Sequence, residues 1–410
     1  MKVIQTMLTT NIAIRKNKKF TTAAIGCFLR LPLTKHNLAY ASLLARIQMN
    51  SSLSYPSLAL QQKRLAELYD LQLEIMPQVF GKEILLTYYA NFVEPIEILD
   101  PHYTYEKILN VIAQIVNQPN FAEPLVEYAK RQLAEEYQEL IEQPSNYALE
   151  QFFKLWYQDQ PDYAETFIGS LDEIKAATST TMMHYWRNLA NVPMQILGMT
   201  RDNNLVSKLA QAMFQQTGLT KSFQTASLTI PAKRKLIEKE DDQGNVQAQL
   251  LMGFGLEQSI DYRGQVMGIL LSQYLAGDQS SKLFTQIREQ LGAAYNVEAS
   301  CFANNSLFLV SAGLDPSKIA AARKIILSEM GKLVQGEVED DLFKKAKKAI
   351  LRNMKIGLDG QNWQMGQMLR DELFSGYLDF DRENAIRRAT PKQLVAFAQN
   401  LFFNESYVLK

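Results

Sequence analysis

The chain has 410 residues, too many for one ordinary core, and its length predicts two to four domains. A hydrophobic content of 47% with 21% charged residues is that of a globular protein large enough to fold without disulfide or metal staples. Lys plus Arg (43) balances Asp plus Glu (43), so no net field favours nucleic acid or anionic lipid, and two distant cysteines, Cys27 and Cys301, argue against a disulfide framework and for a reducing compartment.

In chain order, residues 1–5 show no basic region leading into a long apolar one, so no signal peptide is expected. No apolar run approaches the ~18 residues that span a bilayer, and the reading is a soluble, cytoplasmic protein. Residues 20–29 read as a strand entering a helical stretch. Residues 65–70 are followed by two runs, 71–77 and 84–92, that read as strands. Helical periodicity is clear over 125–142, rich in Ala, Glu and Leu, and residues 177–189 lead into a strand at 194–200. Residues 218–245 carry Lys233-Arg234-Lys235 and then an acidic run from Glu238, which reads as a solvated linker, with a ligand patch as the alternative. Beyond it the order repeats. Residues 245–254 echo 20–29, 291–296 echo 65–70, and 297–303 and 306–314 echo the strand pair; 319–332 is helical, and 389–401 echoes 177–189 before a last strand at 407–409. So long a period is not a solenoid repeat. It predicts an α+β protein of two homologous halves, 1–217 and 246–410, joined by 218–245, with strands segregated from long helices.

Several chemistries are missing. His36, His102 and His184 are isolated, and none has a second His three or four residues on, so no helix face presents a His pair. There is no GxGxxG after a strand, no GxxxxGK[ST] and no GxSxG, which removes the simple nucleotide and α/β-hydrolase readings. Met252-Gly253-Phe254-Gly255 reads as a bulge rather than a phosphate cradle.

Two segments remain. Residues 281–295 read Ser-Lys-Leu-Phe-Thr-Gln-Ile-Arg-Glu-Gln-Leu-Gly-Ala-Ala-Tyr, and residues 42–46, shortly before Tyr55-Pro56, read Ser-Leu-Leu-Ala-Arg. With the duplicated halves they resemble the M16 (insulinase- and pitrilysin-like) peptidase superfamily over essentially the whole chain. The resemblance implies the M16 metallopeptidase (LuxS/MPP-like) fold, with antiparallel-rich sheets and helices packed on one side. It also implies roles for residues. Arg288 and Tyr295 match the Arg and Tyr that contact a bound peptide's backbone beside the scissile bond. A guanidinium fork and a phenol suit peptide carbonyls and a developing oxyanion. The plainer alternative keeps Arg288 as a solvated helix residue and Tyr295 as core, because Tyr69, at the equivalent place in the first half, has Gln62 where the Arg would stand.

In active members an inverted motif, His-x-x-Glu-His, binds zinc and activates its water. Here it falls on Ser42, Ala45 and Arg46: a poor ligand, a side chain that cannot act as a base, and a fixed positive charge. Zinc is therefore expected to be absent, and no other cofactor is implied. The family's third ligand would lie near Glu127, Glu135 and Glu136, which read more simply as carboxylates in helix-surface salt bridges. The chain most resembles a zinc-less, insulinase-like Firmicutes subgroup associated with aminopentanol modification of elongation factor P. The implied function is a pseudo-peptidase that binds an extended peptide as an added strand. It would work in a heterodimer with a zinc-bearing M16 relative, or by self-association, with neither nucleic acid nor membrane as partner. The alternative is a structural or peptide-binding scaffold with no part in proteolysis.

Overall fold

The computed structural model describes residues 11–214, 217–225, 228–290, 292, 294–374 and 380–410. They form two compact units that are not contiguous in sequence. The first gathers Met1–Tyr137, Phe167–Ala226 and Gly360–Ser375; the second gathers Gln138–Thr166, Ser227–Asp359 and Gly376–Lys410.

The first unit is built on β1 (Ile12–Lys16), β2 (Thr22–Pro32), β3 (Gln72–Phe80), β4 (Glu83–Val93) and β5 (Met194–Thr200), in the order β1-β5-β2-β4-β3. Only the β1–β5 pairing is parallel. The second unit repeats the plan with β6 (Ile237–Asp241), β7 (Ala248–Leu256), β8 (Ala294–Phe302), β9 (Leu307–Leu314) and β10 (Leu401–Leu409). Their order is β6-β10-β7-β9-β8, and only β6–β10 is parallel. Position by position the two sheets match, as the internal echo in the sequence requires.

Each sheet carries its own half's helices on one face. In the second unit Leu250, Met252 and Phe254 of β7 and Phe308, Val310 and Ala312 of β9 pack with helices Gln265–Ala276, Ile319–Val334 and Pro391–Gln399. To this the structure adds a helix on the opposite face, taken from the other half of the sequence. Helix Pro144–Trp156 lays Ala148, Phe152 and Trp156 on Leu251, Leu309, Tyr407 and Leu409. In the first unit, helix Gln361–Leu373 does the same for β2 and β4. Thr22 and Gln361 share two hydrogen bonds (2.8 and 2.9 Å), and the Tyr89 hydroxyl donates to Asn362 (2.8 Å).

This second layer explains Gly253, whose neighbourhood differs from the expected bulge. β7 runs regularly past it, and a Cβ there would stand 2.6 Å from the Phe152 ring and 2.8 Å from Trp156. The glycine makes room for helix 144–156. The irregularity lies on β10 instead, between Phe403 and Glu405. Part of the expected solvated linker also proves to be strand: residues 237–241 are β6, the sheet's edge. Its charges remain solvated at that edge, where Glu238 pairs with Arg323 and Lys239 with Asp241, as suits a strand that must not recruit another.

Candidate functional site

Helix Lys35–Asn50 starts where the Thr34 hydroxyl accepts from the Asn37 amide, and it buries most of its length against the first sheet. Gln48 fixes its rotation, donating to the Val116 carbonyl (2.8 Å) and accepting from the Tyr88 hydroxyl (3.0 Å). Cys27 lies beneath, and complete burial pushes its thiol up to about 12, leaving it inert. Helix Glu123–Glu142 crosses alongside. Arg46 pairs with Glu136, and Asn50 donates to Gln132 (2.6 Å). One residue number rises by four as the other falls by four, so the helices run antiparallel and the contacts are successive turns of one seam.

Glu136 is thus the carboxylate brought to the motif, while Glu127 pairs with Lys130 on its own helix. The side chains present do not fit a zinc ion. Ser42 is buried, and its hydroxyl has no hydrogen-bond partner among the described residues. Ala45 is buried and offers no donor atom. Arg46 directs a fixed positive charge at the one carboxylate in reach. His36 lies two turns away, 3.0 Å from Glu173 and packed on Tyr40, and His102 and His184 are exposed. Among the described residues no three His, Cys, Asp or Glu side chains form a metal-holding group.

The second segment belongs to the other unit. Residues Phe284–Gln290 form a π-helical stretch anchored by buried Leu283 and Ile287, and Gln286 donates to Glu329 of helix 319–334 (2.8 Å). Such widened turns recur at functional sites because they displace a side chain from the regular helical row. Arg288 is exposed here, with its guanidinium 4.8 Å from the Phe284 ring centre and no hydrogen-bond partner among the described residues. Gly292 follows in the left-handed conformation (φ +59°), and β8 begins at Ala294. Tyr295 is the extra residue of an irregularity in β8, between Ala294 opposite Leu314 and Asn296 opposite Gly313; its side chain lies outside the described residues.

β8 is an edge strand, and its outer side pairs with no described strand. Beside it lies a groove of about 450 Å³ that the sequence did not announce. Asn296, Glu298 and Ser300 of β8, with Gln249 and Ser311 from the neighbouring strands, line it, and Asn146 at the start of helix 144–156 roofs it. Its polar lining is amide and hydroxyl with one carboxylate, and Leu149, Leu251, Phe302 and Leu309 add apolar wall, a mixture suited to peptide groups and to side chains of either kind. Only the pleat of β8 could have signalled it: Asn296, Glu298 and Ser300 alternate with Val297, Ala299 and Cys301, which face the core.

Comparison with known proteins places these features. Residues 185–350 match the family described as "Peptidase M16 inactive domain", a span that reaches Arg288 but not the helix carrying Ser42, Ala45 and Arg46. An uncharacterized zinc protease of Streptomyces coelicolor is 26% identical over 218 residues, which cover 51% of this chain and 47% of that protein. The chain thus spans about half of that relative. A Bacillus subtilis protein named as a probable inactive metalloprotease, YmfF, is 21% identical over 97% of this chain and 95% of its own length. Among solved structures, a conserved protein from Enterococcus faecalis superposes with a TM-score of 0.88 at 17% identity, covering 98% of this chain and 97% of that one. A peptidase M16 inactive domain from Pseudomonas fluorescens does so with a TM-score of 0.77 at 14% identity, covering 98% and 96%.

Proposed function

We propose that this chain, which belongs to the M16 peptidase superfamily, is a non-catalytic member that binds extended peptide as the partner subunit of a zinc-bearing M16 peptidase. The reading is carried by the contrast between its two segments. The metal positions hold a buried hydroxyl, a methyl and an ion-paired guanidinium, whereas Arg288 is exposed just ahead of an open edge strand and touches only the Phe284 ring of its own turn, with no hydrogen-bond or ion-pair partner among the described residues. A peptide added along β8 exchanges main-chain hydrogen bonds with the strand's free edge, and alternate side chains meet the groove lined by Glu298 and its neighbours. Arg288 then donates to a peptide carbonyl, and Tyr295 supplies the second donor. Zinc, its water and the general base come from the partner subunit.

The test mixes the purified chain with a zinc-bearing M16 relative and follows a quenched fluorescent peptide with and without chelator. Chelator-sensitive cleavage is expected only in the mixture. Arg288→Ala should lower it about a hundredfold, the usual cost of one oxyanion donor, with the far-UV dichroism unchanged. A complex that forms without cleavage, or cleavage indifferent to Arg288→Ala, would return the chain to a scaffold. Chelator-sensitive cleavage by the chain alone would overturn the reading.

A further inference from the structure

Helix Asp340–Gly357 buries Leu342, Phe343, Ala346 and Ile350 in the second unit's core. At about 100° per residue, Lys344, Lys345, Lys348, Arg352 and Lys355 fall within an arc of about 100° on the opposite side. All five are exposed. Among the described residues only Lys344 has an ion-pair partner, Asp341 at 3.5 Å, which also lies in the arc and is itself almost fully exposed. Lys347, on the flank, is committed instead to the carbonyls of Arg387 (2.7 Å) and Ala389 (2.8 Å). The row runs about 16 Å along the axis and ends between two large aliphatic side chains, Ile356 and Leu358, 62% and 50% exposed. A chain with as many acids as bases has gathered five cations on one face, with an exposed aliphatic at either edge of it.

We propose that this face docks on an anionic lipid surface. Long Lys and Arg stems splay onto a plane, so all five charges reach headgroup phosphates together, and Ile356 and Leu358 flank the row, one on each side, at the level of the boundary. Each basic residue held near such a surface raises partitioning about fivefold. An acidic protein surface offers less, because solvent-exposed ion pairs contribute little one by one. A nucleic acid would leave the aliphatic pair unused and finds no exposed ring to stack on, since the helix's only aromatic, Phe343, is buried. The attachment is peripheral: among the described residues no helix is long and apolar enough to cross a membrane. Net charge gave the opposite expectation because it averages away a local concentration.

The test floats the full chain with vesicles of phosphatidylcholine alone, or with one third phosphatidylglycerol, at low and at high salt. Binding is expected only to the anionic vesicles at low salt. The triple variant Lys345→Gln, Lys348→Gln, Arg352→Gln should weaken it on the order of a hundredfold, three fivefold steps, and Ile356→Ser with Leu358→Ser several-fold, both with unchanged melting curves. Any of three results would sink the proposal: no flotation with anionic vesicles at low salt, flotation retained by the triple variant, or tighter binding to polyglutamate or duplex DNA than to the vesicles.

Discussion

Glu405 offers the sharpest test of how the second unit is held together. It sits on β10 opposite Gly253 and Ile237, is 1% exposed, and neither carboxyl oxygen has a hydrogen-bond partner among the described residues. The charge near it is Lys235, whose ammonium is engaged by Asp159 at 2.9 Å. Burial pushes the Glu405 carboxyl up to about 9, against the smaller downward pull of Lys235. The folded state therefore binds a proton that the unfolded chain releases near 4.5. This group's stabilisation is fully present below pH ~4.5 and falls by ~1.4 kcal/mol per pH unit until it is lost near pH 9. Between pH 5 and pH 8 the loss amounts to about 4 kcal/mol, a large part of an ordinary domain's stability. Glu405→Gln keeps the shape and removes the titration. Urea unfolding of both proteins at the two pH values, followed by the fluorescence of Trp156, the only tryptophan of its unit, measures the difference. The variant should be the more stable protein at pH 8, and the gap should narrow by about 4 kcal/mol at pH 5. Parallel pH dependences for the two proteins would refute the burial argument.

The seam between helices 35–50 and 123–142 makes a milder prediction. The Arg46 and Glu136 side chains are 32% and 43% exposed, so a double-mutant cycle with Arg46→Met and Glu136→Gln should give a coupling below ~1 kcal/mol that salt reduces further. Ser42→His alone should cost ~1–3 kcal/mol in chemical denaturation, because the ring enters space already closed by packing. Gly253→Ala places a methyl group against Phe152 and Trp156 and should cost a similar ~1–3 kcal/mol, with a change in Trp156 fluorescence; an unchanged melt would mean that helix 144–156 does not pack as described.

Much of the fold was legible because the chain states it twice. The echo of 20–29 in 245–254, and of the strand pairs after each, foretold two sheets of one plan, and the strand orders agree. What periodicity could not tell is which sheet an amphipathic helix covers. Helices 144–156 and 361–373 each serve the sheet of the other half, and their apolar rows look alike whichever sheet receives them. The same limit hid the strand at 237–241. Its charges are those of a linker, and only the parallel partner β10 makes it an edge. At the site, the pairing of Arg46 with Glu136, rather than with Glu127 or Glu135, could not be read from the sequence. It depends on the seam that also joins Asn50 to Gln132, and so on how two helices rotate against each other.

That seam shows how two helices can be tied together without a metal ion. A zinc ion held between two helices neutralises their carboxylate and ties them together at once. Here Arg46 does both with one side chain, supplying the positive charge and the bridge to Glu136. Ser42 and Ala45 are buried in the same helix, and the Ser42 hydroxyl has no hydrogen-bond partner among the described residues. A guanidinium cannot activate water as a bound zinc ion does. Arg288 lies under no such constraint. Its π-helical turn is anchored by Leu283, Ile287 and Gln286, so the fold does not need the guanidinium to be where it is. A side chain that the fold does not need, exposed just ahead of an open strand edge, is where a contribution to a partner's catalysis should be sought.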